Sequence, residues 1–227
     1  MDSKIGLIIQ LAGVSLITLL TLFLRRSIAV VALKHWTNAW LFLCVSLFCL
    51  RLAFSYDQFS TQLFSFYFLG EYMFAFMLFA GCRSLAENSE LKTRQELLVL
   101  PFVLLAFALP FVAEDFNLVF NIHSLILAGF FAMSLVSLWR VKLRTFGWRV
   151  MLVALGLLVV DFVQYFVAFT VRQYYPIEFS YLQYNSVIDL VCQTLLGFGM
   201  VIVLLDQVLA DVKVARSEEH TSELQSH

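Results

Sequence analysis

Charge is what this sequence has least of: Asp, Glu, Lys and Arg make up 14% of its 227 residues, against about a quarter in ordinary soluble domains. Its formal net charge is −1, with both signs confined to short stretches between apolar runs, so nothing in it is shaped for nucleic acid or for acidic partners. Four cysteines, Cys44, Cys49, Cys82 and Cys192, lie in or beside apolar runs with no CxxC or Cys/His spacing. They read as small buried hydrophobes, which excludes a metal or disulfide scaffold. The first apolar run has no basic leader and no A-x-A cleavage site, and Arg25 and Arg26 follow it. It is an uncleaved first span and not a signal peptide.

What is present is apolar. Hydrophobic residues are 61% of the chain, aromatics 16%, and mean hydropathy is +0.87. A water-soluble globule of this size cannot hide that much apolar surface, so the excess faces lipid. About 20 mostly apolar residues cross about 30 Å of hydrocarbon. Seven stretches qualify: Ile5–Leu24, Trp36–Phe54, Leu63–Ala80, Leu97–Val112, Leu118–Leu138, Val150–Phe169 and Tyr184–Leu205. The fourth is the shortest and holds Pro101 and Pro110, which leaves six spans as the second reading. The expected fold is therefore an all-α membrane protein, a seven-helix transmembrane bundle. No soluble domain fits in its loops, and no internal repeat of the kind many transporters use is visible.

Orientation follows from the basic residues. One set of loops carries Arg25, Arg26, Lys34, Arg83, Lys92, Arg94, Arg140, Lys142, Arg144 and Arg149. The other side has only Lys4 and Arg172, beside Asp57, Glu114, Asp115 and Glu178. Ten against two predicts the N-terminus outside and the C-terminus in the cytoplasm, across a bacterial inner membrane. Trp36, Trp40, Trp139 and Trp148 are expected in the inner interfacial belt, with most of the 24 phenylalanines facing lipid or filling the core.

The last residues, Arg216–His227, read RSEEHTSELQSH and break from everything before them. They resemble the in-frame translation of a common short-read sequencing adapter, which makes 216–227 an artefactual tail and implies a gene that continues past Ala215. Without that tail Lys+Arg falls from 15 to 14 and Asp+Glu from 16 to 13, so the charge becomes +1. Residues 1–205 form the membrane domain and 206–215 begin a cytoplasmic signalling helix. Leu205, Val208, Val212 and Ala215 recur there at coiled-coil spacing between Asp206, Gln207, Asp211 and Lys213. That seam predicts a homodimer through the C-terminal helix.

Asp189, the run LLGFGMVIVLL from Leu195 to Leu205, and Asp206 at the start of the exit helix carry a resemblance. So does FLGEYMFAFMLFAGCRSL from Phe68 to Leu85. The chain is similar in layout to the seven-helix sensor regions that precede GGDEF-type diguanylate cyclases and, in other members, histidine kinases. The resemblance implies a membrane-embedded sensory input module responding to a small ligand or physical stimulus. Neither a GG(D/E)EF signature nor a phospho-acceptor histidine motif is present, so neither activity resides in this chain.

Ionisable groups inside spans are costly and usually pair or mark function. The candidates are Arg51, Glu71, His123, Asp161 and Asp189, with Gln164 and Gln193 as neutral companions. All five ionisable groups fall in the outer half. Asp161 and Gln164 are expected on one face, as are Asp189 and Gln193. Two readings stand: an outward-facing polar cluster framed by Tyr72, Tyr165, Tyr181 and Tyr184, or simple pairing of Arg51 with an acid. Gly70, Gly197 and Gly199 are expected to permit close helix approach.

Rival functions fall on missing residues. A retinal photoreceptor needs a lysine in the last span, and Tyr184–Leu205 has none. Intramembrane catalysis lacks a GxSG serine, an HExxH or a histidine box. His35 and His123 fall on opposite sides, so they cannot jointly hold a haem. No catalytic, metal or cofactor site is expected. A small-solute or proton-coupled transporter using Glu71 and Asp161 is the remaining alternative.

Overall fold

Backbone polar groups in hydrocarbon must bond within their own segment, so apolar runs of this length have one economical solution, the helix. A computed structural model of the chain describes residues 3–28, 30–87, 97–112, 115–141, 144–175, 179 and 184–225. Its helices are α1 (Ser3–Ser27), α2 (Val31–Ala53), α3 (Ser60–Glu87), α4 (Leu100–Val112), α5 (Phe116–Trp139), α6 (Phe146–Tyr174) and α7 (Asn185–Gln225). Short 3-10 turns, Asp57–Phe59 and Leu97–Val99, lead into α3 and α4. Local chemistry sets two of the starts. The Asp115 carboxylate accepts from the Asn117 N–H and the Thr145 hydroxyl from that of Trp148, capping α5 and α6. Lys92, Arg94, Glu114, Lys142, Glu178 and Tyr181 lie outside the described residues.

Six helices are long and apolar enough to cross a membrane, the last over Asn185–Ala210, and Leu97–Val112 is a shorter apolar helix. At 1.5 Å per residue that shorter segment reaches only about 24 Å. Its direction nonetheless makes it a transit. Phe107 packs on Phe66, and Phe102 on Tyr72 and Phe130. Thus α4 runs antiparallel to α3, while α3 and α5 run parallel, with Tyr67 on Phe120 and Phe74 on Phe131. The chain is an all-helical membrane bundle whose crossings alternate from α1 to α7. The ends holding Arg25, Arg26, Lys34, Arg83, Arg140, Arg144 and Arg149 gather on one side, which the basic-residue rule makes the inner side.

Helix contacts close a ring. In order, α1, α2, α3, α5, α6 and α7 touch their neighbours and α7 returns to α1, with α4 outside the ring against α3. Small residues set the tightest approaches. A Cβ on Gly70 would lie 2.6 Å from Ser46 Cβ and 2.9 Å from the Phe42 carbonyl. One on Gly199 would meet Met151 Cγ at 2.7 Å and the Met151 backbone nitrogen at 2.9 Å. Gly197 faces only the tip of Ile17, at 3.0 Å.

The tryptophan belt is not where it was expected. Trp36 and Trp40 are fully buried, Trp148 nearly so, and only Trp139 is exposed. Trp36 fills the space left by Gly81, and Trp40 Nε1 donates to Met200 Sδ at 3.4 Å across to α7. Helix rotation, which depth along the sequence does not reveal, turned these indoles inward. The exit seam also shifts: Leu205, Leu209 and Val212 are the exposed apolar residues there, while Val208 is half-buried.

Candidate functional site

The ring leaves a cavity of about 330 Å³ at its outer end, lined by all six ring helices. Its polar groups are Gln10 from α1, Glu71 from α3, Arg172 from α6, and Asn185, Ser186, Asp189 and Gln193 from α7. Tyr67, Phe120, Phe162 and Phe169 supply aromatic walls. Helix α4 contributes nothing, as its place outside the ring requires.

Each acid is held by an identifiable partner. The Ser46 hydroxyl lies 3.2 Å from Glu71 Oε1 and 3.0 Å from the Tyr67 carbonyl, two acceptors for one proton. The absent side chain of Gly70 lets α2 come close enough for this pairing. On the opposite wall, the Tyr165 hydroxyl donates to Asp189 Oδ1 at 3.4 Å. Asp161, buried on α6, adjoins both Tyr165 and Asp189, and its Oδ2 has no hydrogen-bond partner. Gln10 Nε2 donates to Gln193 Oε1 at 3.2 Å, tying α1 to α7. Asp161 and Asp189 are close enough to act as one electrostatic pair, with Glu71 also lining the cavity.

Of the seven polar residues singled out from sequence, Glu71, Asp189 and Gln193 line the cavity and Asp161 stands behind Asp189. His123 is buried just outside it. Its ring centroid lies 4.8 Å from Phe68, 5.4 Å from Tyr72, 5.6 Å from Tyr67 and 5.9 Å from Phe120, and its Nδ1 is unpartnered. Arg51 takes no acid among the described residues: it donates to Ser55 Oγ at 2.6 Å at the end of α2. The expected Arg51–acid pair is therefore not found among the described residues. Gln164 is exposed on the outer face of the bundle, away from Asp161. A step of three residues turns a helix by about 300°, a net 60° short of a full turn, enough here to cross the edge of the buried face.

Of the expected tyrosine frame, Tyr72 and Tyr165 are buried and Tyr184 is exposed. Sequence reasoning missed Ser46, Gln10, Arg172, Asn185 and Ser186. Gln10 carried the same signal as Gln193, an amide inside an apolar run. Arg172 was counted only as a loop charge.

Chemically, the arrangement brings acidic, amide and aromatic groups around one space. Two hydroxyl–carboxyl pairs, Ser46 with Glu71 and Tyr165 with Asp189, stand on opposite walls of this partly open cavity. Among the described residues no three His, Cys, Asp or Glu side chains are grouped to hold a metal ion. Comparison with family models, with curated proteins and with solved structures gave no match. The case for function therefore rests on the cavity and on the helix that leaves it.

Proposed function

We propose that residues 1–215 are the sensory input module of a bacterial inner-membrane signalling protein. On this reading the outer cavity receives the stimulus, and α7 couples it to a cytoplasmic output, a GGDEF-type diguanylate cyclase or a histidine kinase. One observation carries the reading. Four of the seven polar residues lining the cavity, Asn185, Ser186, Asp189 and Gln193, belong to α7, and the same unbroken helix continues past the membrane portion ending at Ala210. A stiff helix transmits a displacement made at one end to the other, provided the bundle has two arrangements that the stimulus weights differently. The exposed apolar residues Leu205 and Leu209, in the last turns of the membrane portion, and Val212 just past it fit a homodimer seam that continues into the exit helix. Catalysis belongs to the output and not to this chain.

Sequencing the intact gene across the Ala215 junction tests the proposal directly. A coiled coil running into a cyclase or kinase supports it. A stop codon immediately after Ala215 overturns it and leaves proton-coupled transport, for which buried Glu71 and Asp161 are suited, as the leading reading.

A further inference from the structure

The cavity's lining is lopsided in charge. Glu71 and Asp189 face it, with Asp161 directly behind, while among the described residues its one basic side chain, Arg172, is exposed near the end of α6. Glu71 and Asp161 are each only 5% exposed. Among the described residues Glu71 has a single hydrogen bond, from Ser46, and Asp161 Oδ2 has none. Withdrawn carboxyls in this state are costly until a partner completes them.

The surroundings specify what completes them. Aromatic faces from Tyr67, Phe120, Phe162 and Phe169 attract cations and accept apolar bodies. At about 330 Å³ the space sits at the small end of ligand sites. A bare metal ion would need three or more closely grouped donors, which the described residues do not supply. We propose that the cavity binds a small organic cation, a primary or quaternary amine with an apolar body, its ammonium group held between Glu71 and Asp189. This inference rests on reading the cavity as a ligand site.

The test uses the full chain in lipid nanodiscs, titrated calorimetrically with phenethylamine, phenyltrimethylammonium, the neutral isostere phenylethanol, and phenylacetate. At least one of the two cations should bind saturably and about tenfold or more tighter than phenylethanol, as expected when a charge pair forms away from water. Asp189→Asn and Glu71→Gln should each erase that preference while leaving phenylethanol unchanged. Equal affinity for cation and alcohol, preference for phenylacetate, or no saturable binding of either cation would overturn the assignment. The ligand comparison uses unaltered protein, so it stands even where a variant fails to fold. Concentrative uptake of phenethylamine into proteoliposomes would keep the cation assignment and defeat the sensor reading instead.

Discussion

Replacing Gly199 with Ala puts one methyl group into a close contact between α6 and α7. Its Cβ would stand 2.7 Å from Met151 Cγ, 2.9 Å from Met151 N and 3.2 Å from the Gly147 carbonyl. Two of those three atoms are backbone, so no rotamer change relieves the overlap and the helices must separate. Overpacking of this kind costs about 1–3 kcal/mol, against a gain of about 0.5–1 kcal/mol for replacing glycine by alanine within a helix. The net expectation is a loss of up to about 2.5 kcal/mol, or up to roughly 10 °C in midpoint at about 2–4 °C per kcal/mol. Gly129→Ala is the matched control, since a Cβ there meets nothing within 4 Å. It should stabilise by about 0.5–1 kcal/mol. Thermal unfolding in mild detergent, followed by a thiol-reactive dye reporting buried Cys82 and Cys192, reads both. Gly197→Ala, facing only the flexible tip of Ile17, should fall between them. If Gly199→Ala proves as stabilising as Gly129→Ala, the close α6–α7 contact is refuted.

Three further outcomes follow from side-chain placement. Gln164→Leu, on the exposed face, should leave the midpoint unchanged or raise it, because no amide has to be left in lipid; a clear drop would return Gln164 to the interior. Ser46→Ala removes the hydroxyl shared by Glu71 and the Tyr67 carbonyl and should cost about 1–3 kcal/mol in the same assay. A midpoint within error of the parent would show that the shared hydroxyl contributes little. On the sensor reading, deleting Asp211 and Val212 in a protein that carries the proposed output turns everything beyond them by about 200° and should disturb output measured as product formation; an unaltered response would count against transmission through α7.

The number and placement of the crossings were legible because hydropathy over 20 residues is a sum, insensitive to which way any one side chain points. Facing was not. Trp36 and Trp40 have the composition and depth of belt residues, yet α2 is rotated so that Gly81 and Met200 receive them. The same loss of rotational information separated Gln164 from Asp161 and hid the value of Gln10. Nor could spacing rank the glycines: Gly197 and Gly199 look alike in sequence, but one faces a side-chain tip and the other a neighbouring backbone. Arg51 shows a different limit. A long side chain near a helix end can satisfy itself locally, and here Ser55, one turn on, offers the nearest acceptor.

The attachment of α7 along its length bears on how it would move. Near its middle it is locked by three close contacts: Gly197 against Ile17, Met200 against Trp40, and Gly199 against Met151. Its outer part packs the Leu190 side chain against Gly13 of α1 and is otherwise held by longer polar contacts, Asp189 to Tyr165 at 3.4 Å and Gln193 to Gln10 at 3.2 Å, around the cavity. A helix packed against neighbouring backbone at its middle, and held above by polar contacts and one flexible leucine tip, tilts about the middle more easily than it slides. Asp189 stands about 15 Å above Gly199 and Val212 about 20 Å below it at 1.5 Å per residue. A 1 Å shift at the cavity would therefore appear as about 1.3 Å in the opposite direction at the exit helix. On the sensor reading, a short bis-maleimide link between Gln10→Cys and Gln193→Cys, in a chain without its native cysteines, should abolish the response. The same link between Ile17→Cys and Gly197→Cys, at the pivot, should leave most of it. Sliding along the membrane normal would be blocked by both links alike, so equal inhibition by the two would refute the lever.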